Sequence, residues 1–241
     1  MTKSIDTATL IPCLLLTVLG YFLVSRSGDA VSTGDLTFSV GFLAYTFVAN
    51  VVSFNSNKLQ LSQYEKNNIS FEPMGAHSLG RGQFINEGSF LVYFGLSKII
   101  GFLIPLVLIF AGPSDVAVMV APSLVVVVAQ AVAEQSTGSF HDVLRIIIPI
   151  GYSSYRLFGP LKSWALDSWM LYLEKQPTGE FDVYTFNVLL AWANLTFAAW
   201  NLFGFLLLRA LPLYFDKEET PRVEMAYTLL PLPTKNKKMK V

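Results

Sequence analysis

Lys98, Gln130 and Glu134 interrupt apolar segments where ionisable side chains are rare. Lys98 lies near the middle of YFGLSKIIGFLIP, where a lysine in a bilayer core costs roughly 2.5–3.5 kcal/mol and must face protein or water. Gln130 and Glu134 are four residues apart, so a helix presents both on one face. An antiparallel hairpin would bring them near Lys98. We therefore expect a Lys98–Glu134 ion pair beside Gln130. It would serve as a proton or ion relay, form a polar substrate pocket, or only fix the register of the two helices.

A second polar cluster surrounds Pro149, which breaks a short apolar segment. Its members are Arg145, Tyr152, Ser154, Tyr155 and Arg156. Broken membrane helices often line binding sites, and two arginines there would hold an anionic lipid or substrate headgroup. The structural alternative is that the two arginines reach opposite membrane surfaces and hold a kinked helix in place.

Two asparagines mark the last apolar stretch. Asn194 and Asn201 are seven residues apart, which puts them on roughly one face of a helix. Buried asparagines hydrogen-bond across membrane helices. The pair therefore predicts either a fastener between helices or part of a ligand site.

The familiar catalytic and metal-binding patterns are absent from the sequence. The two histidines, His77 and His141, lack cysteine or carboxylate partners at metal-ligand spacing. No glycine-rich phosphate loop is present, and the serines have no histidine base at a recognisable spacing. Cys13 is the only cysteine, so an internal disulfide is impossible. We predict a non-enzyme with no catalytic residues, no metal site and no cofactor.

Five long apolar stretches are the elements that must position these residues. Hydrophobic residues make up 53% of the 241 residues and charged residues only 14%, against about 25% charged in ordinary domains. A bilayer core about 30 Å thick needs about 20 apolar residues of helix, and lipid offers backbone groups no partner. The predicted membrane helices are Ala8–Ser25, Leu36–Phe54, Ser89–Ala111, Val116–Glu134 and Asp182–Arg209.

Two neighbouring segments decide the number of crossings. Phe140–Phe158 is broken by Pro149 and Gly151, so it either crosses as a kinked helix or dips into the membrane and returns. Leu161–Lys175 mixes tryptophans with charges and predicts an amphipathic helix in the headgroup layer. If Phe140–Phe158 crosses, the basic residues near the N-terminus, in the long loop and in the tail share one side. We therefore favour six spans with both termini cytoplasmic or stromal.

Together these patterns predict an all-α fold, a polytopic membrane bundle of about six helices plus an interfacial amphipathic helix. Residues 1–214 would form the bundle, including a polar loop at 55–88, and residues 215–241 a mobile charged tail. The expected partners are the lipid bilayer and other membrane proteins. The net charge of zero argues against nucleic acid. We expect an endomembrane or organellar membrane as the location.

Three motifs in the second half of the chain resemble a plant and algal family of uncharacterised integral-membrane proteins, known only as a domain of unknown function. The motifs are Ala121-Pro122 followed by Gln130 and Glu134; Arg145, Pro149, Tyr152, Ser154 and Arg156; and Asn194 through Leu207. The resemblance implies a photosynthetic eukaryote as the source. It brings no activity with it.

Three functions fit the sequence. Several polar fasteners without a catalytic set favour a non-enzymatic scaffold or accessory subunit. The first alternative is a small-solute or ion transporter or channel that uses Lys98, Glu134 and the arginines. The second is a protein that grips anionic lipid headgroups at Arg145 and Arg156.

Overall fold

The computed structural model describes residues 7–52, 88–137, 140, 142–175 and 182–212. These residues are almost entirely helical and form six continuous helices, which confirms the predicted all-α helix bundle. The polar loop predicted at 55–88, apart from Gly88, and the tail predicted at 215–241 lie outside the described residues.

Three of the helices are uniform α-helices. They are α1, Thr7–Ser27; α2, Thr33–Val52; and α4, Ser114–Ser136. A single 3₁₀ turn, Gly28–Ala30, follows α1.

The other three helices each contain a π-helical segment. In α3, Gly88–Lys98 and Ile104–Ala111 are separated by the π-helical Ile99–Leu103. In α5, Asp142–Arg156 and Lys162–Lys175 are separated by the π-helical Leu157–Leu161. In α6, the α-helical Val183–Ala199 continues as the π-helical Trp200–Ala210.

Four stretches are long and apolar enough to cross a bilayer by length and composition. They are Thr33–Val52, Val92–Ala111, Ser114–Ser136 and Val183–Leu208. A shorter apolar helix, Ile11–Ser27, lies in α1. The four stretches fit the predicted association with a membrane.

Helix α2 has its polar residues inside and its apolar residues outside, the reverse of a surface helix in a water-soluble protein. Its buried residues are Asp35, Ser39, Thr46 and Asn50. Its exposed large hydrophobic residues are Leu36, Val40, Tyr45, Phe47, Val48, Val51 and Val52. This arrangement suits a helix whose outer face meets lipid and whose polar face packs against neighbouring helices.

The helices run up and down, as contacts at the two ends of the bundle indicate. Gly112 and Pro113 form the tight turn predicted between α3 and α4, so this pair is an antiparallel hairpin. At the same end, which we call the hairpin end, Lys175 Nζ of α5 lies 3.5 Å from Asp115 Oδ2 of α4. At the opposite end, the Phe47 ring of α2 packs against Phe140, just before α5.

Helix α4 is the centre of the bundle. Ten of its residues are buried. Val116, Val120 and Leu124 belong to a continuous apolar core that also includes residues of α1, α3, α5 and α6. Because α1, α2, α3 and α5 pack against α4, its polar residues must face a neighbour or an internal space.

Helix α5 differs from the prediction for 140–175. The kinked segment and the separate interfacial helix are one continuous helix from Asp142 to Lys175, which is about 50 Å long at 1.5 Å per residue. Pro160 lacks an amide hydrogen, and it falls inside the π-helical Leu157–Leu161, where the hydrogen-bond register already shifts. The proline therefore does not end the helix.

The environment of Trp164 also differs from the prediction, because the segment that contains it is part of the continuous helix α5. Sequence predicted a tryptophan anchored at the membrane surface, but Trp164 is only 1% exposed. Its indole Nε1 donates a 2.9 Å hydrogen bond to Asn187 Oδ1 of α6. Trp169, one and a half turns later, is the exposed tryptophan of this segment.

Candidate functional site

A polar cavity of about 100 Å³ lies between α3, α4, α5 and α6. Six of the eight residues predicted as an intramembrane polar cluster line it: Lys98, Gln130, Glu134, Arg156, Asn194 and Asn201. Further polar lining comes from Tyr93, Ser97 and Ser153. The topology thus gathers into one space the residues that the sequence spreads over more than 100 positions.

The α3 wall carries Lys98 and Gly101. Lys98 ends the first α-helical part of α3, is exposed, and has its Nζ 5.1 Å from the centroid of the Phe94 ring. Such a cation–π contact stabilises a lysine charge where water is scarce. A Cβ added at Gly101 would lie 3.6 Å from Asn194 Oδ1 and 3.8 Å from Arg156 Nη2. The missing side chain therefore leaves space directly beside these two groups.

The α4 wall carries Gln130 and Glu134. As the four-residue spacing predicted, they share a face, and Gln130 Nε2 donates a 2.8 Å hydrogen bond to Glu134 Oε1. Glu134 is within electrostatic reach of Lys98. No salt bridge of 4.0 Å or less joins Lys98 and Glu134 in the part of the chain that the structure describes. The expected direct ion pair is therefore not formed. Instead, the two opposite charges lie on the walls of one cavity.

The α5 wall carries Arg156, the last residue before the π-helical Leu157–Leu161. Its Nε is buried and has no hydrogen-bond partner among the described residues. A buried N–H without a partner is costly, and more so on a charged group. Arg156 therefore keeps donors available for an acceptor inside the cavity.

The α6 wall carries the two predicted asparagines. Asn194 Nδ2 donates to the Ile100 carbonyl at 2.9 Å and to the Leu190 carbonyl at 3.0 Å. Asn201 Oδ1 accepts a 2.6 Å hydrogen bond from the Tyr93 hydroxyl, and its Nδ2 donates to Ser153 Oγ at 3.3 Å. Both asparagines fasten α6 to neighbouring helices while they line the cavity, so the two predicted roles coexist.

Two of the three π-helical segments contribute residues to this cavity, and the third begins directly after a lining residue. Gly101 and Phe102 lie in the first segment and Asn201 in the last, and Arg156 directly precedes Leu157–Leu161. A π turn is wider than an α turn and is found frequently at functional sites. Irregular helix geometry is therefore concentrated around this cavity.

Tyr152 lies outside the cavity, although it was predicted in the same cluster. Its hydroxyl donates a 2.7 Å hydrogen bond to the Ser39 carbonyl of α2. The Tyr152 ring packs edge-on against Phe38 and Phe42. Tyr155 OH similarly donates to Asp35 Oδ1 at 2.9 Å. These two tyrosines with Asp35, Ser39, Phe38 and Phe42 form what we call the tyrosine seam between α2 and α5.

Arg145 is also outside the cavity lining. It precedes Arg156 by 11 residues on one continuous helix, a separation of about 16 Å along the axis. The two arginines therefore do not line one cavity, and a joint grip on one headgroup stays a prediction.

Sequence reasoning missed Tyr93, Ser97 and Ser153. Tyr93, Ser97 and Gly101 follow one another at four-residue intervals, which puts two polar residues and a gap on one face of α3. That regular spacing was the available signal. Ser153 lies three residues before Arg156 and carried no separate signal.

The charged lining consists of two cations and one anion, Lys98, Arg156 and Glu134, which sum to one positive charge. Groups of three or more His, Cys, Asp or Glu residues that could hold a metal are absent from the described ranges. The chemistry on offer is therefore charge-assisted hydrogen bonding to a small polar or anionic molecule.

Comparison with known proteins places the chain in a family without assigning an activity. No curated protein and no solved structure matches it. A family described as a domain of unknown function (DUF7733) matches residues 12–218, which include all six helices from Pro12 onwards and every residue of the cavity. The chain belongs to this family of the domain of unknown function DUF7733.

Proposed function

We propose that this protein is a multi-pass membrane protein that binds a small polar solute in the central cavity and carries it across the bilayer. The observation that carries the proposal is the cavity itself, with Lys98, Glu134 and Arg156 on its walls. Ionisable residues are expensive inside a membrane and mark solute or ion pathways there. If their role were only to hold helices together, direct pairing of opposite charges would be the cheaper arrangement.

The depth of the cavity supports this proposal. Lys98 precedes the end of α3 at the hairpin by 13 residues, and Arg156 follows the start of α5 by 14, so each lies about 20 Å from one end of the bundle. In a hydrocarbon core about 30 Å thick, that is close to the midplane. Transporters commonly bind their substrates at this depth, between helices with irregular segments.

Six crossings complete the proposal. In addition to the four long apolar stretches, we count α1 and α5 as crossings. An up-and-down path through six helices puts both termini on the same side, which the distribution of lysine and arginine in the sequence assigns to the cytoplasm or stroma. The membrane is endomembrane or organellar.

A scaffold or accessory-subunit role is the second candidate. Hydrogen bonds from Asn194 and Tyr93 that join α3 to α6 favour it, because such bonds fix a rigid surface for a partner. This role predicts a protein partner that co-purifies with the chain in mild detergent. Isolation as a lone, stable chain would count against it.

The transport proposal is tested in proteoliposomes with three solutes of similar size that cross lipid poorly: methanesulfonate, tetramethylammonium and erythritol. Uptake of at least one, above that of protein-free vesicles, is expected. The variant Gly101→Leu should block it, because an added side chain meets only ordinary contacts at Cβ and extends into the cavity.

The matched control is Gly95→Leu on the same helix, where an added Cβ meets nothing within 4 Å. This variant should transport like the wild type. No uptake of any of the three solutes, or equal uptake by both leucine variants, would overturn the proposed function.

A further inference from the structure

We infer that the ligand of the cavity is a small, singly charged oxyanion, anchored by the guanidinium of Arg156. The inference rests on the proposed function and names the chemical class that the site would take. A carboxylate, a sulfonate and a phosphodiester share this chemistry. The argument uses the charge, the donors and the size of the cavity.

Charge is the first step. Lys98 and Arg156 against Glu134 leave one net positive charge in the lining. In a low-dielectric interior an uncompensated charge is unfavourable. A ligand with a single negative charge brings the occupied cavity to neutrality, a cation doubles the excess, and a neutral solute leaves it unchanged.

Arg156 supplies the shape preference. A guanidinium presents several N–H donors in a planar fork, which matches two oxygens of one anion better than it matches a spherical halide. Arg156 Nε is buried without a hydrogen-bond partner among the described residues. The fork is therefore available to a ligand.

The neighbouring side chains are held so that they do not compete for Arg156. Glu134 is tied to Gln130 on its own helix by the 2.8 Å hydrogen bond. The amide nitrogen of Asn194 is occupied by the carbonyls of Ile100 and Leu190. Asn194 Oδ1 faces the space beside Gly101 and offers an acceptor for a donor on the ligand, such as a hydroxyl.

Size and access set the remaining limits. A cavity of about 100 Å³ has room for several water molecules, and methanesulfonate, with five heavy atoms, is of that order. Lys98 lines the cavity and is also exposed, so the cavity reaches the outer surface beside α3. The oxyanion is either a free anion or the headgroup of a lipid, and the test distinguishes these two sources.

The test measures methanesulfonate uptake by proteoliposomes for a series of charge variants. Arg156→Gln should raise KM about tenfold or more, the effect expected when a charge-assisted hydrogen bond is lost. Arg156→Lys, which keeps the charge without the fork, should fall between the wild type and Arg156→Gln. Glu134→Gln should lower KM, because it removes a negative charge from the lining.

The matched control is Arg145→Gln, the same substitution on the same helix outside the cavity lining. It should leave KM within about twofold. Circular dichroism and gel filtration of each detergent-purified variant exclude misfolding as the cause. Equal effects of Arg145→Gln and Arg156→Gln, or a wild type that excludes methanesulfonate, would overturn the inference.

Two further arms separate the outcomes. If tetramethylammonium or erythritol is taken up and methanesulfonate is not, the oxyanion inference is wrong and the proposed function stands. Vesicles of phosphatidylcholine with and without phosphatidylglycerol distinguish the source. Competition by phosphatidylglycerol, together with its co-purification with the wild type but not with Arg156→Gln, identifies a lipid headgroup. Indifference to phosphatidylglycerol identifies a free anion. Both of the latter results support the oxyanion.

Discussion

Two polar regions share a single turn of α5 and use their polar groups in opposite ways. Tyr152 and Tyr155 face α2, where each hydroxyl donates to an oxygen of that helix within 2.9 Å. Ser153 and Arg156, each one residue further on, face the cavity, where Arg156 Nε has no partner among the described residues. The contrast lies between the tyrosine hydroxyls and Arg156, since Ser39 Oγ of the seam is also buried without a partner among the described residues.

Ring packing separates the two regions just as clearly. In the tyrosine seam the rings of Phe38 and Tyr155 stack with centroids 3.8 Å apart, and Phe42 fills the space in front of Gly151. In the cavity the corresponding glycine, Gly101, is not crowded, because an added Cβ would make only ordinary contacts with Asn194 Oδ1 at 3.6 Å and Arg156 Nη2 at 3.8 Å. The comparison therefore predicts that substitutions in the seam cost stability, whereas substitutions in the cavity change binding.

The largest effect is expected for Asp35→Ala in the seam. Asp35 is 6% exposed, accepts from Tyr155 OH, and also accepts from the backbone N–H and hydroxyl of Ser32 at the start of α2. Loss of this cap and of a buried partner should lower the free energy of unfolding by about 2–4 kcal/mol. Denaturant unfolding in detergent micelles, followed by circular dichroism, measures it.

The control for that prediction is Asp167→Ala on the exposed surface of α5, which should change stability by no more than about 0.5 kcal/mol. If the two aspartate variants lost equal stability, the seam would not be the fastening region.

A second prediction makes the same substitution in both regions. A Cβ at Gly151 would lie 2.6 Å from Phe42 Cε1, so Gly151→Ala should cost about 1–3 kcal/mol through overpacking. Gly101→Ala meets only ordinary contacts and should be neutral or stabilising by up to about 1 kcal/mol, as expected for a glycine replaced inside a helix. Thermal melts of the two variants compare them directly, and the reverse order would break the comparison.

A third prediction concerns adjacent residues. Tyr155→Phe should lower stability by about 1 kcal/mol, since it removes a hydrogen bond to a carboxylate. Arg156→Gln should leave stability unchanged or raise it by about 1 kcal/mol, because it removes a buried charge that has no ion pair in the described part of the chain. The free energy of unfolding of both variants, measured without added anion, checks the prediction. A greater loss for Arg156→Gln than for Tyr155→Phe would show that Arg156 is a structural residue.

The smallest effect is expected at the hairpin end, outside both regions. Asp182 caps α6. Its carboxyl accepts a hydrogen bond from the Thr185 backbone N–H, which holds the pKa of this carboxyl below its ordinary value of 3.8. Because the pKa of Asp182 is lower in the folded protein, the stability that the cap contributes is fully present above the ordinary pKa. It is lost as the pH falls through the pKa of the folded protein. Asp182→Ala should therefore melt slightly below the wild type at neutral pH.

The difference in melting temperature between the wild type and Asp182→Ala should shrink as the pH falls to about 3. Asp182→Asn, which keeps a capping oxygen but cannot titrate, should melt near the wild type at neutral pH. A difference between wild type and Asp182→Ala that persists unchanged in acid would contradict the role of the charge.

Much of the fold follows from the sequence because membrane helices are constrained by length and polarity alone. The bounds of α1, α2 and α4 lie within three residues of those predicted. The four-residue spacing of Gln130 and Glu134 also determined their shared face, since periodicity within one helix needs no tertiary information.

Sequence alone could not predict α5 or the relation of Lys98 to Glu134. Pro149 and Pro160 are read as breaks by local propensity, but neighbouring helices and a π turn keep the helix continuous. Whether two charges on different helices touch depends on rotations set by packing. The separation of Tyr152 from Arg156 into two regions likewise depends on which helix packs against each face of α5.

Each π turn lets its helix hold one extra residue, so the effect of deleting a residue depends on where the deletion falls. A π turn closes from residue i to i+5 and so holds one residue more than an α turn. Deleting one amino acid from 99–103 would remove that extra residue and restore ordinary winding, with Lys98 kept on nearly its present face. Deleting one amino acid from the α-helical Ile104–Ala111 would instead turn the preceding part of α3 by about 100° and move Lys98 away from its present neighbours, although the hydrophobicity and the number of spans would hardly change.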